Sequence, residues 1–467
     1  MDSLKKKQNA PSLERKLGPL MLWGLGVGYV ISGMYFGWNL GLPEGGTIGL
    51  AVATLFIIVM YLCFTFSYTE LACAIPKAGG AFVYARKSHG DNFGFLAGMA
   101  QVVEFVFAPP AIAAAIGAYF NLFFPDVPTT AIAIVAYLIF TLLNIYGVKA
   151  AARFELLITI LAVAELLIFS GVTLPKFQMS NLSLNAFPHG IGGIFAAIPF
   201  AIWFFLAIEG VANVAEETIN PQRNVLIGFG SAILTLVVLA VLTFASSVGV
   251  SGWESIVYPS PGAAASDSPL PLALNHIVGN SHVLYHMLIF IGLFGLVASF
   301  HGIILAAGRA VYEMGNEHFL PGSLGQISKK FHTPANALVF NMIVGIIALF
   351  TGRTGEIITI AVFGALTLYI VSMISLLKLR KAAPEMERPF KVPLYPVPPV
   401  IALVIAIIAL IAVIYYNLTL AGIYALIMIV SFSWFKVASL RKASFGETEI
   451  REEYAVVTNN DPGLPIE

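Results

Sequence analysis

The sequence predicts an all-α integral membrane protein with twelve transmembrane helices. Of its 467 residues, 58% are hydrophobic and only 11% are charged, which is more apolar surface than a soluble domain needs. Apolar windows of about twenty residues, the length that crosses a bilayer core of ~30 Å, recur along nearly the whole chain. Two of these windows, five apart in chain order, are interrupted by glycine or by an acidic residue. Together these observations favour a helical bundle with two broken helices.

We name the apolar windows segments 1 to 12 in chain order. They cover residues 19–41, 48–74, 93–122, 130–146, 154–174, 192–215, 225–249, 284–314, 334–351, 356–378, 397–416 and 418–437. The predicted domains are a polar tail at 1–17, a membrane domain at 18–438, and a second polar tail at 439–467 that we expect to be disordered. Within the membrane domain, segments 11 and 12 are appended to the first ten.

Positive charge predicts the orientation of the chain. Of the 25 lysines and arginines, all but Lys176 and Arg353 fall on one side of the predicted bundle. Loops rich in lysine and arginine resist translocation and stay cytoplasmic. We therefore expect both tails to lie in the cytoplasm. The loops on the outer side of the membrane then carry little positive charge.

Segment 1 contains six glycines, at positions 24, 26, 28, 33, 37 and 41. Glycine weakens a helix by ~1 kcal/mol relative to alanine. The pattern predicts a break in the helix at Ile31, Ser32, Gly33 and Met34. A continuous helix whose glycines permit tight packing is the alternative.

Segment 3 carries an acid, Glu104, in the middle of a lipid-length window, with Gln101 one turn earlier. A spacing of three places both side chains on one face of a helix. Polar groups on one face of a membrane helix indicate a cavity in the bundle, and a structural hydrogen bond between helices is the alternative. Both residues are predicted to bind substrate.

Segment 6 carries the second acid, Glu209, in the apolar run Phe195–Asn224. An ionised side chain at the bilayer centre costs from ~2.5 kcal/mol upwards, so such residues usually face a cavity or a pathway. Its small neighbours Ala207 and Gly210 permit a local break, and a purely structural pairing of Glu209 with a neighbouring helix is the alternative. Two interrupted segments five apart are expected in an inverted-repeat transporter, whose site lies between the breaks. Trp203, Phe204 and Phe205 enter the predicted site with them.

Segments 5 and 8 carry further polar residues. Glu155 lies near the cytoplasmic end of segment 5, where we expect it to pair with Arg153, and Glu165 lies deeper. Ser299 and His301 fall near the middle of segment 8. His301 is either a proton relay or a packed neutral histidine.

Seven motifs resemble the amino acid-polyamine-organocation transporters and cover about 80 per cent of the chain. In order they read ISGMYF, EL...IPKAGGAFVYA, GFLAG, NIYGVKAAARFE, FFLAIEG...AEETINPQRNV, LAAGRAVYEMGNEHFLP and ERPFKVPLYP. The resemblance implies a five-plus-five inverted repeat, with helices 1 and 6 unwound at the site and helices 3, 8 and 10 around it. It also implies a gating or proton-linked role for Glu209.

Two departures from the family pattern bear on the substrate. Amino acid carriers of this family usually read Gly-Ser-Gly in the helix 1 break, where backbone N–H groups receive the substrate carboxylate. Here Ile31 stands where the family has the first glycine. Ala207 stands where the family usually has a glycine, two residues before the helix 6 acid. In detail the sequence looks like the ethanolamine permease branch. Trp203 matches a gating aromatic of some relatives, with an ordinary core aromatic as the alternative, and the helix 5 lysine of some proton-linked relatives is Ala162.

The sequence therefore predicts a secondary active transporter that takes up ethanolamine or a similar small amine across the cell membrane by alternating access. A cationic or neutral amino acid permease of the same fold is the alternative. A membrane-embedded enzyme or solute sensor is a weaker one, because we see no metal triad, no Ser/His/Asp grouping and no appended soluble domain. The predicted partners are the substrate, the lipid bilayer and possible coupling protons. No cofactor, metal or nucleic acid is predicted.

Overall fold

The computed structural model describes residues 15–77, 79–146 and 151–460, and their regular structure is helical. One isolated β-bridge joins Leu17 to Thr218 and fixes the start of the chain to the end of segment 6. The predicted amino-terminal tail lies outside the described residues up to residue 14. The all-helical class that the composition predicted is confirmed.

Nine helices of this described part are long and apolar enough to cross a membrane. They correspond to predicted segments 2 to 5, 7, 8 and 10 to 12. Their bounds are Leu42–Ala74, Asp91–Asn121, Thr129–Tyr146, Ala151–Thr173, Pro221–Ser251, Val283–Asn316, Thr354–Ala382, Val397–Tyr416 and Leu418–Asn460. Segment 9 is a shorter apolar helix, Ala335–Leu349. The other two segments are broken.

Segment 1 is built from the helix Pro19–Val30, the turn Ser32–Tyr35 and a 3-10 helix, Trp38–Gly41. The helix is interrupted at Ile31, within the predicted break at Ile31 to Met34, and Ser32–Tyr35 forms one short turn after it. The chain leaves the helix at Phe36, which is extended, and at Gly37, whose φ is +87°. That value lies in the region that favours glycine.

Segment 6 consists of the helices Gly190–Ala196 and Ile198–Trp203 and the 3-10 helix Ile208–Glu217. Between them Ala207 adopts a left-handed conformation, with φ 73° and ψ 9°. A left-handed alanine is sterically costly and persists only where its surroundings hold it. The predicted interruption of segment 6 is thus confirmed, and the chain changes its backbone conformation at Ala207.

Short helices occupy the connections between segments. Ala81–His89 follows Gly80, between segments 2 and 3. The other helices in connections are Met179–Ser183, Trp253–Val257 and Pro269–Val278, with a 3-10 turn at Leu174–Lys176.

Segments 3 and 10 lie at the centre of the bundle. The most hydrophobic window of segment 3 is 89% buried and that of segment 10 is 83% buried, whereas segment 12 buries only 17% of its window. Gly364 of segment 10 lies so close to segment 3 that a Cβ there would be 2.7 Å from the backbone nitrogen of Glu104. The central acid is therefore fixed between two tightly packed helices.

The last helix extends beyond its apolar part. The sequence predicted a disordered tail from residue 439, whereas the backbone is helical as far as Asn460. Residues 461–467 lie outside the described residues, so the prediction for them stays a prediction.

Cysteine labelling tests the predicted orientation. Cys63 and Cys73 are free thiols, and both are first replaced by alanine. In that background we expect Ser260→Cys, at an exposed loop position, to react with a membrane-impermeant maleimide in intact cells. Glu385→Cys, exposed in the loop before segment 11, should react only after the cells are opened. Reversed labelling of these two positions would contradict cytoplasmic termini.

Candidate functional site

The breaks of segments 1 and 6 lie against each other. The indole Nε1 of Trp203 donates a 3.1 Å hydrogen bond to the carbonyl oxygen of Phe36. Gly33 and Gly37 make this approach possible, because a Cβ on Gly33 would collide with the Trp203 carbonyl and one on Gly37 with the indole. The predicted meeting of the two interrupted segments is therefore present in the structure.

Aromatic side chains cover the breaks on the predicted outer side. Trp38 stacks on Phe204 with ring centroids 5.6 Å apart, and its Nε1 donates to the carbonyl oxygen of Met34. Phe205 packs against Tyr61 of segment 2 at 5.2 Å. These contacts fix the positions of Phe204 and Phe205, two of the three aromatic residues that the sequence placed at the site.

Glu104 reaches the break of segment 6 directly. Its Oε1 accepts a 3.2 Å hydrogen bond from the backbone N–H of Ala207. A break in a helix leaves backbone donors without intrahelical partners, and a buried donor of this kind is costly if it finds no acceptor. Glu104 thus stabilises the left-handed turn at Ala207 as well as standing in the site.

Glu209 accepts a hydrogen bond from one tyrosine, which is bonded in turn to a second. The Tyr369 hydroxyl, from segment 10, lies 3.1 Å from Glu209 Oε2 and donates to it. The Tyr61 hydroxyl lies 3.0 Å from that of Tyr369. This chain of hydroxyl groups links the acid in segment 6 to segments 10 and 2.

The Glu104 and Glu209 carboxyl groups are close enough to hydrogen-bond to each other. Each also has a buried oxygen without a hydrogen-bond partner, Oε2 of Glu104 and Oε1 of Glu209. Among the described residues no lysine or arginine forms an ion pair with either. A carboxylate only accepts hydrogen bonds, so two of them this close need a proton or an ammonium group between them. The arrangement is chemically suited to hold one positive charge.

The one side-chain hydroxyl of the predicted segment 1 break, that of Ser32, is bonded within the protein. The Ser32 hydroxyl hydrogen-bonds to that of Ser299 at 2.8 Å, and Ser299 donates to the Tyr29 carbonyl at 2.6 Å. Ile31 is fully buried in the hydrophobic core beside them. The Ser32 side chain is therefore directed to segment 8 and away from the carboxyl pair.

Gln101 does not join the carboxyl pair. It lines a small cavity on the predicted cytoplasmic side of Glu104, together with Asn213, Arg309 and Glu313. Gln101 and Glu104 thus lie one turn apart on segment 3 but contact different parts of the protein. Gln101 lines the cavity, and Glu104 bonds to the break of segment 6.

His301 also lies apart from the carboxyl pair. Its Nδ1 is 3.7 Å from Glu155 Oε2, and both side chains are buried. The predicted pairing of Glu155 with Arg153 is wrong, because Glu155 points into the bundle whereas Arg153 is exposed. The partner of Glu155 lies on segment 8, far away in the sequence, so its neighbours in the chain do not reveal it.

A loop seals the site on the predicted outer side. The Asn39 side chain donates to the Ser266 carbonyl at 2.8 Å, and Thr354 donates to Asp267 at 2.8 Å. Removal from water raises the pKa of Asp267 to about 6, against the opposing effect of the Thr354 hydrogen bond. Every residue of the carboxyl pair and the two breaks is buried beneath this cover.

Sequence reasoning missed Tyr61 and Tyr369. Both are fully buried and lie within long apolar helices, where a tyrosine is indistinguishable from a core aromatic residue. The one available signal was their hydroxyl group, since a buried tyrosine hydroxyl usually needs a hydrogen-bond partner.

Comparison with known proteins identifies the family. The family model described as "Amino acid permease" matches residues 17–434. An uncharacterized transporter of Rhizobium meliloti is 27% identical over 82% of this chain and 83% of its own length. The methylthioribose transporter of Bacillus subtilis is 28% identical over 85% of this chain and 88% of its own. The branched-chain amino acid permease BcaP of the same organism is 26% identical over 83% and 85%. The chain thus belongs to the amino acid permease family, a family of membrane transporters in the amino acid-polyamine-organocation superfamily.

Proposed function

We propose that the protein is a secondary active transporter that takes up ethanolamine or a similar small protonated amine across the cell membrane by alternating access. The observation that carries this proposal is the pair of facing carboxyl groups, Glu104 and Glu209, each with a buried oxygen that has no partner. An ammonium group carries three N–H donors and one positive charge. It would satisfy both free oxygens at once and offset the cost of two acids in the membrane interior.

The substrate hydroxyl finds a partner in the same place. Tyr61 and Tyr369 form a hydroxyl pair next to Glu209. A hydroxyl group both donates and accepts, so it fits beside such a pair. Ethanolamine, with an ammonium group two carbons from a hydroxyl, matches this combination of groups.

The segment 1 break supports an amine without a carboxylate. The Ser32 hydroxyl is bonded to Ser299, so it is not free to bind a carboxylate, and the backbone at Gly33 lies against the Trp203 carbonyl. Ile31 adds a branched apolar side chain where amino acid carriers of the family usually have glycine. We therefore expect this break to bind the carboxylate of an amino acid poorly.

The alternative is a cationic or neutral amino acid permease. BcaP is named for branched-chain amino acids, and the methylthioribose transporter, at similar identity, is named for a different kind of solute. Relatives at this distance therefore differ in the substrate they are named for, and their names favour no single substrate. A solute sensor or membrane enzyme is the weaker alternative. It would bind its solute without carrying the intact molecule across the membrane.

Trp203, Glu209 and His301 complete the proposal as gating or proton-linked residues. Trp203 joins the two breaks on the predicted outer side, so it must move when the site opens in that direction. Glu209 touches segments 2 and 10 through the tyrosine hydroxyls. We expect Trp203 and Glu209 to change hydrogen-bond partners during the transport cycle.

A competition assay in proteoliposomes tests the proposed substrate. We expect radiolabelled ethanolamine to accumulate unchanged, and unlabelled ethanolamine to compete at concentrations at least tenfold below those of glycine, alanine or serine. The reason is the missing carboxylate site, which removes the extra binding energy of an amino acid. Liposomes without protein are the control. Equal inhibition by serine and ethanolamine would favour the amino acid permease instead.

A further inference from the structure

A second buried polar cluster lies where segments 1, 5 and 8 meet. Glu155 of segment 5 is 2% exposed and His301 of segment 8 is 7% exposed. The distance from His301 Nδ1 to Glu155 Oε2 is 3.7 Å. No step of the substrate binding described above uses either group.

Two glycines provide the room for the Glu155 carboxyl group. A Cβ on Gly28 of segment 1 would lie 2.7 Å from Glu155 Oε1, and one on Gly302 of segment 8 would lie 3.4 Å from it. One turn along segment 5, Thr159 donates to the Gly24 carbonyl at 3.2 Å. The carboxyl group is thus enclosed by the backbones of segments 1 and 8, and its charge acts directly on how these segments pack.

Among the described residues, Glu155 and His301 are the two ionisable members of the cluster. Glu155 Oε1 is buried without a hydrogen-bond partner, and His301 is the one charged group near the carboxyl in the described part of the chain. Segment 1 presents the Tyr29 hydroxyl group, and beyond it Arg309 pairs with Glu217 at 3.2 Å. Segment 4 presents the ring of Phe140, 6.1 Å from that of His301.

We propose that Glu155 and His301 form a proton-binding site, separate from the carboxyl pair, that couples proton movement to transport; this rests on the proposed transport function. With one proton on His301 the pair has no net charge, and without it a buried carboxylate is left uncompensated. Histidine is the side chain whose charge ordinarily changes between pH 5 and 8. The proton is taken from one side of the membrane and released unchanged to the other.

The position of the site explains how the proton would act on transport. Gly28 lies on the helix that ends at Val30, two turns before the extended residue Phe36. A change of charge at Glu155 alters the contact of this helix with segments 5 and 8. The packing of segment 1 then favours one of the two arrangements of alternating access, open to the outside or open to the cytoplasm. This is the coupling that a secondary transporter needs.

Variants of the pair test the proposal in proteoliposomes. Glu155→Gln and His301→Gln should exchange labelled for unlabelled ethanolamine within threefold of the wild-type rate. Accumulation driven by an imposed proton gradient should fall at least tenfold, together with the proton influx reported by an internal pH dye. Glu165→Gln is the matched control, because Glu165 is a buried acid of the same segment whose Oε2 is bonded to the Tyr35 hydroxyl at 2.7 Å. Gradient-driven accumulation that survives in Glu155→Gln would overturn the proposal.

A measurement without substrate separates this proposal from the choice of ethanolamine. The unfolding temperatures of wild type and Glu155→Gln are compared from pH 5 to 8 in detergent. If the pair exchanges a proton in this range, the difference between the two proteins changes with pH, because stability follows the protons bound in each state. A constant difference would overturn the proton site. Absence of ethanolamine exchange in wild type would instead contradict the proposed substrate alone.

Discussion

Glu104→Gln should abolish measurable ethanolamine binding while the protein still folds and inserts. The glutamine carbonyl oxygen can still accept from the Ala207 N–H, so the turn of segment 6 is kept. The new amide NH2 group then takes the place of the unpartnered Oε2, and it cannot accept a hydrogen bond from an ammonium group. Removing a buried charge partner costs on the order of 2–5 kcal/mol, which is about thirtyfold or more in affinity.

Glu209→Gln provides the matched comparison. Its amide oxygen can still accept from the Tyr369 hydroxyl. The Glu104 carboxylate, which we expect to be the main partner of the ammonium group, is intact in this variant, so measurable binding should be retained. Net uptake or its pH dependence should be lost, because Glu209 links the site to segments 2 and 10. Binding isotherms and uptake are measured for both variants, with Glu44→Gln, at an exposed acid, as the control. Binding by Glu104→Gln within threefold of wild type, with none by Glu209→Gln, would show that the two roles are exchanged.

The acids at the centre of the site could be predicted from sequence alone. Glu104 and Glu209 lie in windows apolar enough for lipid, where a charged side chain needs a functional or structural reason. Their partners could not be predicted in the same way. Tyr369 lies 160 residues from Glu209 in the chain, and hydrophobic periodicity cannot tell a tyrosine with a buried partner from a core aromatic.

The breaks were predicted with unequal accuracy for a physical reason. In segment 6 the small residues around Glu209 indicated the turn, and Ala207 is where the helix opens. In segment 1 six glycines were available, and sequence cannot say which of them adopts a positive φ. The glycine pattern indicated Ile31 to Met34, where the helix is interrupted, whereas the positive φ lies farther along at Gly37, beside the Trp203 indole.

A different buried acid, Glu70, holds together the predicted cytoplasmic end of the bundle. It is 1% exposed and accepts two hydrogen bonds from the Arg380 guanidinium, at 2.6 and 2.7 Å. The backbone N–H of Val392 donates to it at 2.8 Å, and Arg388 Nε lies 3.5 Å away. One carboxylate thus joins segment 2 to the end of segment 10 and to the loop before segment 11.

Glu70→Gln should therefore destabilise the protein more than any substitution of a surface acid. The glutamine leaves the Arg380 and Arg388 charges without a counterion at a buried position, and breaking a buried pair in this way costs about 3–5 kcal/mol. We expect a clear fall in the unfolding temperature in detergent. Asp91→Asn, which removes the exposed partner of Arg86, is the matched control and should change stability by less than about 1 kcal/mol. In Glu70→Gln/Arg380→Met, which also removes the stranded charge of Arg380, part of the stability should return. Equal unfolding temperatures for Glu70→Gln and Asp91→Asn would mean that this ion pair does not hold the end of the bundle together.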